Sequence, residues 1–261
     1  MLKKRLIPTL FLKNGLIVRS ENFNYHQNIG NAVAEAKRYS DWNVDELIYI
    51  DISRERYYDL RRNDLKVKSE SDIFNLVAEI SKVCFMPLTF GGWIRTIDDI
   101  RRRIQGGADK VTINTAAIED PSFIEKCSTT FGSQCIVVSI DYKYIDGKPK
   151  VFKGGLIETG LDPVDWAKEV EKRGAGEIFL NSIDRDGVAE GYDIPYIKSV
   201  VDAVNIPVIA CGGAGDFYDF VDLAKQTNVS AIAAGNIFHF TELSYPRAKD
   251  LLLKNNVNVR S

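Results

Sequence analysis

Short apolar runs alternate with longer amphipathic segments along the whole chain. The runs predict eight strands, at residues 5–12, 46–52, 84–90, 110–114, 135–141, 177–183, 206–211 and 230–235. Helical periodicity separates or follows several of them, for example at residues 31–42, 73–83, 96–107, 164–174 and 245–256. Because the runs are apolar at nearly every position, they are typical of parallel strands buried on both faces.

Eight strand–helix units in a chain of 261 residues predict an α/β fold, a (βα)8 TIM barrel that forms a single domain over residues 1–261. An open, doubly wound sheet is the alternative. The eightfold count argues against it, and so does the lack of a G-x-G-x-x-G motif after the first strand.

Two segments repeat one pattern about half the chain apart. "PLTFGGWIRT" at 87–96 and "PVIACGGAGD" at 207–216 are both apolar runs that start at a proline and end in two glycines. Each is followed by a further strand that ends in small or polar residues. The repetition predicts a barrel made of two similar half-barrels.

Composition narrows the choice of ligands and partners. The net charge is −2, with 34 basic and 36 acidic residues, which gives no reason to expect nucleic acid or an anionic membrane as a partner. No apolar run approaches the ~18 residues that a membrane span needs. Four cysteines without C-x-x-C spacing and two histidines predict no metal site, no cofactor and a cytoplasmic location.

In a barrel of this type, the working residues lie at the carboxyl ends of the strands. Glycine pairs there bring backbone N–H groups close to an anion, which predicts two phosphate sites, one in each half. The predicted phosphate-binding residues are Gly91, Gly92, Asn114, Thr115, Asp186, Gly187, Gly212, Gly213, Gly235 and Asn236. The alternative is that the glycines only permit tight turns.

Several acids also end or follow predicted strands. Asp141 ends the fifth, Asp184 and Asp186 follow the sixth, and Asp51 lies near the end of the second. Carboxyl groups in these positions are candidates for general acid–base work. For each of them, helix capping or loop hydrogen bonding is an equally good reading.

Charged residues stand at the opposite ends of four predicted strands, where they alternate in sign. They are Arg5, Glu46, Lys110 and Glu177. On the residues alone, a stabilising ring of ion pairs is favoured, because this face of the barrel usually serves stability. A gate over the barrel axis is the functional alternative.

Longer motifs carry a resemblance over the whole length. They include "KRLIPTL" (4–10), "GGADKVTINTAAIEDPS" (106–122), "EVEKRGAGEIFLNSIDRDG" (169–187), "CGGAG" (211–215) and "NNVNVR" (255–260). The chain resembles the cyclase subunit of imidazole glycerol phosphate synthase. That family is a (βα)8 barrel that receives ammonia from a glutaminase at its N-terminal face and uses it at the C-terminal face. The resemblance implies that Arg5, Glu46, Lys110 and Glu177 form its gate and that Asp141 is catalytic.

The chain departs from the resembled family mainly at the carboxyl ends of the strands. Phe11 replaces a catalytic aspartate, and Trp93 replaces a third glycine that helps to bind phosphate. Arg19 replaces a lysine of that family, Asn181 replaces a threonine, and Gly235-Asn236 replaces an Ala-Ser pair. A missing proton-transfer group typically costs ~10²–10⁴ in rate, so efficient cyclisation is not expected.

The first hypothesis is therefore an ammonia-channelling subunit with a different acceptor. The resembled family has diverged relatives that support amidination of an acetamido sugar in surface-polysaccharide pathways, with a glutaminase and a separate sugar amidotransferase. The alternative is a working cyclase of histidine biosynthesis, and the third is the sister isomerase. In the first two cases, a glutaminase would dock near Arg5, Glu46, Asp109 and Lys110, and a phosphorylated small molecule is an expected ligand.

Overall fold

The computed structural model describes residues 3–59, 70–239 and 242–260. Among these residues, the strands in chain order are β1 (Arg5–Lys13), β2 (Leu16–Glu21), β3 (Tyr25–Asn31), β4 (Leu47–Asp51), β5 (Leu88–Gly91), β6 (Lys110–Ile113), β7 (Ile136–Ile145), β8 (Lys148–Lys153), β9 (Ile157–Glu158), β10 (Glu177–Ser182), β11 (Val208–Cys211) and β12 (Ala231–Ala234). The helices are α1 (Ala32–Asp41), α2 (Ile73–Ser81), α3 (Ile97–Gln105), α4 (Thr115–Glu119), α5 (Ser122–Phe131), α6 (Pro163–Lys172), α7 (Ile194–Ala203), α8 (Phe217–Gln226) and α9 (Ser244–Lys254).

Eight parallel strands close into a barrel, which confirms the predicted fold. Their order around the barrel is β1, β4, β5, β6, β7, β10, β11 and β12, and β12 pairs again with β1. Two strands begin more than one residue later than predicted, at Leu88 and Val208. Each follows a proline, Pro87 or Pro207, which has no N–H to donate to a ladder.

Side chains inside the barrel form a core separate from the one between strands and helices. Alternation along β1 explains the separation, because successive side chains point to opposite faces of a strand. Ile7 faces the barrel interior, where it packs with Ile48, Val137, Phe179 and Ile209. Its neighbour Leu6 belongs to the outer core under the helices. Both faces of the strand are therefore buried, as the apolar run predicted.

Two antiparallel extensions rise from the carboxyl end of the barrel. β2 and β3 form a hairpin on β1, and β8 and β9 extend β7. Both begin at a turn with positive φ at two successive residues, Asn14-Gly15 (φ 54° and 76°) and Asp146-Gly147 (φ 49° and 73°). Asn-Gly and Asp-Gly are the favoured pairs for such turns. We call this end of the barrel the mouth and the opposite end the floor.

None of the helices within residues 3–59, 70–239 and 242–260 is both long enough and apolar enough to span a membrane.

Candidate functional site: the barrel floor and the barrel mouth

Four charged side chains close the floor as a ring of alternating sign. Arg5 Nη1 lies 2.6 Å from Glu46 Oε2, and the other terminal nitrogen of Arg5 pairs with Glu177. Lys110 Nζ lies 3.0 Å from a carboxylate oxygen of Glu46 and 3.0 Å from one of Glu177. Thr89 Oγ1 donates a further bond of 3.0 Å to Glu46. The structure thus brings together all four residues that the sequence singled out at this end.

The ring is buried, and its members hold one another charged. Burial lowers the pKa of Arg5, but Glu177 and Glu46 outweigh that effect, so the pKa is raised. Burial raises the pKa of Glu46, but Arg5 and Lys110 reverse the effect and lower it. The least buried member is Lys110, whose side chain is 21% exposed against 2% for Glu46. Lys110 is therefore the member that can leave the ring most easily.

A cavity of ≈330 Å³ opens at the mouth, and Asp141 of β7 lies in its wall. The carboxylate accepts neutral hydrogen bonds from Ser139 Oγ at 3.2 Å, Asn181 Nδ2 at 3.3 Å and Asn114 Nδ2 at 3.3 Å. Burial raises the pKa of Asp141 to about 6, against a small opposing effect of its hydrogen bonds. At neutral pH this carboxyl group can both take up and release a proton, which suits general acid–base work.

Two other predicted acids accept hydrogen bonds at the mouth, Asp51 from its own loop and Asp184 from strand β7. Asp51 Oδ2 accepts a bond of 2.8 Å from Tyr58 Oη, and its other oxygen accepts from Ser53. Asp184 accepts a bond of 2.7 Å from the backbone N–H of Tyr144. Both acids are thus engaged in hydrogen bonds at a loop, which the sequence allowed as the alternative to acid–base work.

Two aromatic residues line the cavity at positions where the resembled family has an aspartate and a glycine. Phe11 is 5% exposed and packs edge-on against Phe23 of the β2–β3 turn, with ring centroids 5.1 Å apart. Trp93 is held in the left-handed region at φ 55°, and its Nε1–H donates to Ser53 O at 3.0 Å. Both rings line the same cavity as Asp141. Much of the wall near that carboxyl group is therefore apolar.

The first predicted phosphate site lies in this cavity, which Gly92, Asn114 and Thr115 line. Asn114 is engaged, because its Oδ1 accepts from the N–H of Gly154 at 2.8 Å while its Nδ2 donates to Asp141. Gly92 has φ +94°, and a Cβ there would lie 2.2 Å from the carbonyl oxygen of Asp51. Close packing of two loops alone thus requires glycine at this position, whether or not an anion binds.

The second predicted phosphate site is a cleft of ≈20 Å³ on the other side of the mouth, room for about one water molecule. It is lined by Asp186, Gly187, Gly212, Gly213, Gly235 and Asn236, among others. The β2–β3 hairpin is tied to it: Ser20 Oγ donates to Asp186 at 2.6 Å, and Asn236 Nδ2 donates to Ser20 O at 2.7 Å. The cleft is therefore smaller than a phosphate group requires, and the hairpin is bonded directly to its lining.

The remaining altered positions are both at the mouth. Arg19 lies on β2, with its terminal nitrogen 3.8 Å from a carboxylate oxygen of Glu21. Asn181 lies on β10 with its Oδ1 buried and without a hydrogen-bond partner. Phosphate binding at either predicted site remains a prediction.

Sequence reasoning missed three residues of the mouth cavity. Lys13, His26 and Arg54 all line it. His26 reaches the cavity because β3 folds back beside β2, where it pairs with Ser20. The Asn14-Gly15 pair was the available signal, because Asn-Gly flanked by apolar residues predicts a hairpin.

Comparison with known proteins shows the family of this chain. Residues 5–244 match a protein family described as Histidine biosynthesis protein. The chain belongs to this family. A relative in Hydrogenobaculum sp. (strain Y04AAS1), named imidazole glycerol phosphate synthase subunit HisF, is 44% identical, and the match covers all of both chains. Relatives of the same name in Alkaliphilus metalliredigens and Caulobacter vibrioides are 42% and 41% identical, and cover all of this chain and 100% and 97% of their own.

The match runs through both ends of the barrel, since it begins at Arg5 of the floor and ends beyond Asn236 of the mouth. Membership in the HisF family agrees with the resemblance seen in the sequence. The names of these relatives describe a synthase subunit. They give no support to the narrower expectation of a relative specialised for surface polysaccharides.

Proposed function

We propose that this chain is the synthase subunit of a glutamine-dependent enzyme pair in the cytoplasm. A glutaminase subunit docks at the floor, near Arg5, Glu46, Asp109 and Lys110, and releases ammonia there. The ammonia passes along the barrel axis and reacts at the mouth. The observation that carries the proposal is the position of the closed ion-pair ring and of Asp141 at the two ends of one barrel.

The barrel interior suits ammonia rather than ammonium. Above the ring lies an apolar layer that includes Ile7, Val137 and Phe179. A neutral molecule can cross such a layer, whereas an ion would have to shed its hydration at great cost. Among the described residues, the hydroxyl of Thr112 is buried without a hydrogen-bond partner, and that of Thr9 is buried beside the Cys211 thiol. They offer ammonia polar contacts on the way to the mouth.

Cyclisation is the reaction that the names of the relatives favour. Under this proposal the acceptor is the phosphoribosyl-formimino substrate of imidazole glycerol phosphate synthase. Asp141 moves the proton, because its pKa of about 6 lies close to neutral pH. With Phe11 at the position of a second acid, we expect turnover below that of the resembled enzymes.

Amidination of an acetamido sugar is a second candidate, favoured by Phe11 and Trp93. These two rings make part of the mouth cavity's wall apolar, at positions where the resembled cyclases have an acid and a phosphate-binding glycine. In this case the barrel conducts ammonia, and a separate sugar amidotransferase holds the acceptor at the mouth.

A paired assay separates the two candidates. The purified chain and its glutaminase partner are given glutamine with the phosphoribosyl-formimino substrate, and cyclisation is followed. Turnover near ~1–10 s⁻¹, an ordinary enzyme rate, supports the cyclase and excludes the second candidate. Absence of turnover, with glutaminase activity still increased by the barrel, supports ammonia transfer to another acceptor. If the barrel has no effect on the glutaminase, the proposed pair is wrong.

A further inference from the structure

One corner of the mouth cavity brings together two cations and a histidine from three separate elements. Lys13 ends β1, His26 lies on β3, and Arg54 follows β4, and all three line the ≈330 Å³ cavity. Lys13 Nζ is 3.4 Å from His26 Nδ1. Arg54 is close enough for its charge, like that of Lys13, to lower the pKa of His26, in addition to the larger effect of burial.

Among the described residues, no carboxylate forms an ion pair with the cations of this corner, Lys13 and Arg54. Another cation of the cavity, Arg95, differs from them because it pairs with Glu119 at 3.0 Å. Like-charged groups held together without an anion repel one another, so this corner favours an anionic ligand.

The acids that share the cavity do not supply that anion. Asp51 accepts hydrogen bonds from Ser53 and Tyr58, and burial raises its pKa. Asp141 accepts its bonds from Ser139, Asn114 and Asn181, none of which belongs to this corner.

His26 contributes a donor that has no acceptor. The ammonium of Lys13 can only donate, so Nδ1 of His26 accepts in their contact. The proton of the neutral imidazole then lies on Nε2. Within the described part of the chain, that atom has no hydrogen-bond partner, and it is shielded from solvent, so a ligand would reach it only after a shift of the ring. An N–H group in this condition is costly, and an acceptor oxygen of a ligand would satisfy it.

We propose that Lys13, His26 and Arg54 form a binding subsite for a phosphate group of the acceptor. Two cations match the charge of a phosphate dianion, and ammonium, guanidinium and imidazole N–H donors match its several oxygens. The subsite lines the same cavity as Trp93, whose indole donates to Ser53, the residue before Arg54. The acceptor would thus keep a phosphate anchor beside the altered glycine loop. The identity of the ligand as the acceptor rests on the proposed function; the anion site itself does not.

The test uses the two histidines of the chain as probes. Histidine-labelled protein, without the glutaminase, is titrated with pH and followed by NMR, with and without inorganic phosphate at constant ionic strength. A bound anion stabilises the imidazolium, so we expect saturating phosphate to raise the pKa of His26 by about 1. His239 is the internal control. It is buried, its pKa is lowered to about 4, and phosphate should not change it.

Two variants locate the effect. Arg54→Gln changes an exposed side chain, and Lys13→Gln removes the other cation. Each should raise the pKa of His26 in the absence of phosphate, and each should weaken phosphate binding by about tenfold, the loss of one charge-assisted hydrogen bond. Arg101→Gln, on the outer face of α3, should behave as the native chain.

The proposal is overturned if phosphate leaves the His26 signals unchanged. It is overturned equally if the phosphate effect persists in both variants, or if acetate at the same concentration has the same effect. Because the glutaminase is absent, failure here is distinct from failure of the paired assay. Phosphate binding without any ammonia transfer would keep the subsite and remove the proposed function.

Discussion

The two ends of this barrel are built from the same strands but treat their polar groups in opposite ways. At the floor, each charge of Arg5, Glu46, Lys110 and Glu177 has opposite charges as partners. At the mouth, the described residues give Asp141 only neutral donors, at 3.2–3.3 Å. A region whose groups satisfy one another can be stable without a ligand, whereas a region with perturbed and unsatisfied groups is a candidate for binding and catalysis.

The resemblance adds a second contrast between the two ends. The floor keeps the four residues that the resemblance implies. At the mouth, Phe11 and Trp93 stand where the resemblance implies an acid and a glycine. We infer that the delivery of ammonia was retained while the site that receives it was reshaped.

The largest effect is expected from restoring the mouth. Phe11→Asp together with Trp93→Gly should raise kcat/KM for cyclisation by ~10²–10⁴, the usual contribution of a positioned acid or base. Ammonium salt serves as the nitrogen source, so that the floor does not limit the rate. Leu156→Asp is the control, since it adds the same charge to the rim of the same cavity. An equal gain in that control, or no gain in the double variant, would contradict the comparison.

Breaking the ion-pair ring at the floor should lower the free energy of unfolding by nearly as much. Glu46→Gln leaves Arg5 and Lys110 with one carboxylate between them, and opening a buried ion-pair network in this way typically costs ~3–5 kcal/mol. Asp202→Asn breaks the exposed pair with Lys198 and should cost less than ~1 kcal/mol. Urea unfolding of both variants gives the difference. A loss below ~1 kcal/mol for Glu46→Gln would show that the ring does not stabilise the floor.

Asp141 should destabilise the fold in a pH-dependent way. Its pKa is about 6 in the folded chain against a reference of 3.8, so the folded state binds the proton more tightly. The destabilisation is therefore present above pH 6 and vanishes below about pH 4. Asp141→Asn should gain ~3 kcal/mol at pH 8 and less than ~1 kcal/mol at pH 4, while losing turnover. Urea unfolding at the two pH values is the measurement, and an equal gain at both would contradict it.

The smallest effect concerns the hairpin that covers the mouth. Phe23→Ala removes the edge-on contact with Phe11, worth about 1 kcal/mol for an aromatic pair. The β2–β3 hairpin should then open about fivefold more often, which hydrogen exchange of its backbone amides measures. Tyr25→Ala, at an exposed position of the same hairpin, should leave the exchange unchanged. Unchanged exchange in Phe23→Ala would mean that the two rings do not hold the hairpin closed.

The barrel strands were predictable because burial on both faces leaves a strong local signal. A strand such as β1, with Arg5–Leu12 buried throughout, reads as a continuous apolar run. The charged residues at the strand starts were also visible, since they interrupt that pattern at one end. Their mutual pairing follows from barrel closure, which brings four strands together at the floor.

The corner formed by Lys13, His26 and Arg54 could not be predicted from local patterns of this kind. β3 reads "YHQNIGN" and has no fully buried position, so it has neither an apolar run nor a clean alternation. The Asn14-Gly15 turn is the one signal in the sequence that predicts the hairpin containing β3. Arg54 is a single exposed residue in a loop, and nothing near it in the sequence indicates that it faces His26. Such a cluster is a product of tertiary structure.

The central claim, that an intact floor delivers ammonia to an altered mouth, is tested most directly by isotope competition. The chain and its glutaminase are supplied with glutamine labelled with ¹⁵N in the side-chain amide, an excess of unlabelled ammonium, and the acceptor that the paired assay identifies. If ammonia travels inside the barrel, the product carries ¹⁵N almost undiluted. If the product takes up nitrogen in proportion to the free ammonium, ammonia reaches the mouth through solvent, and the floor of this barrel is structural only.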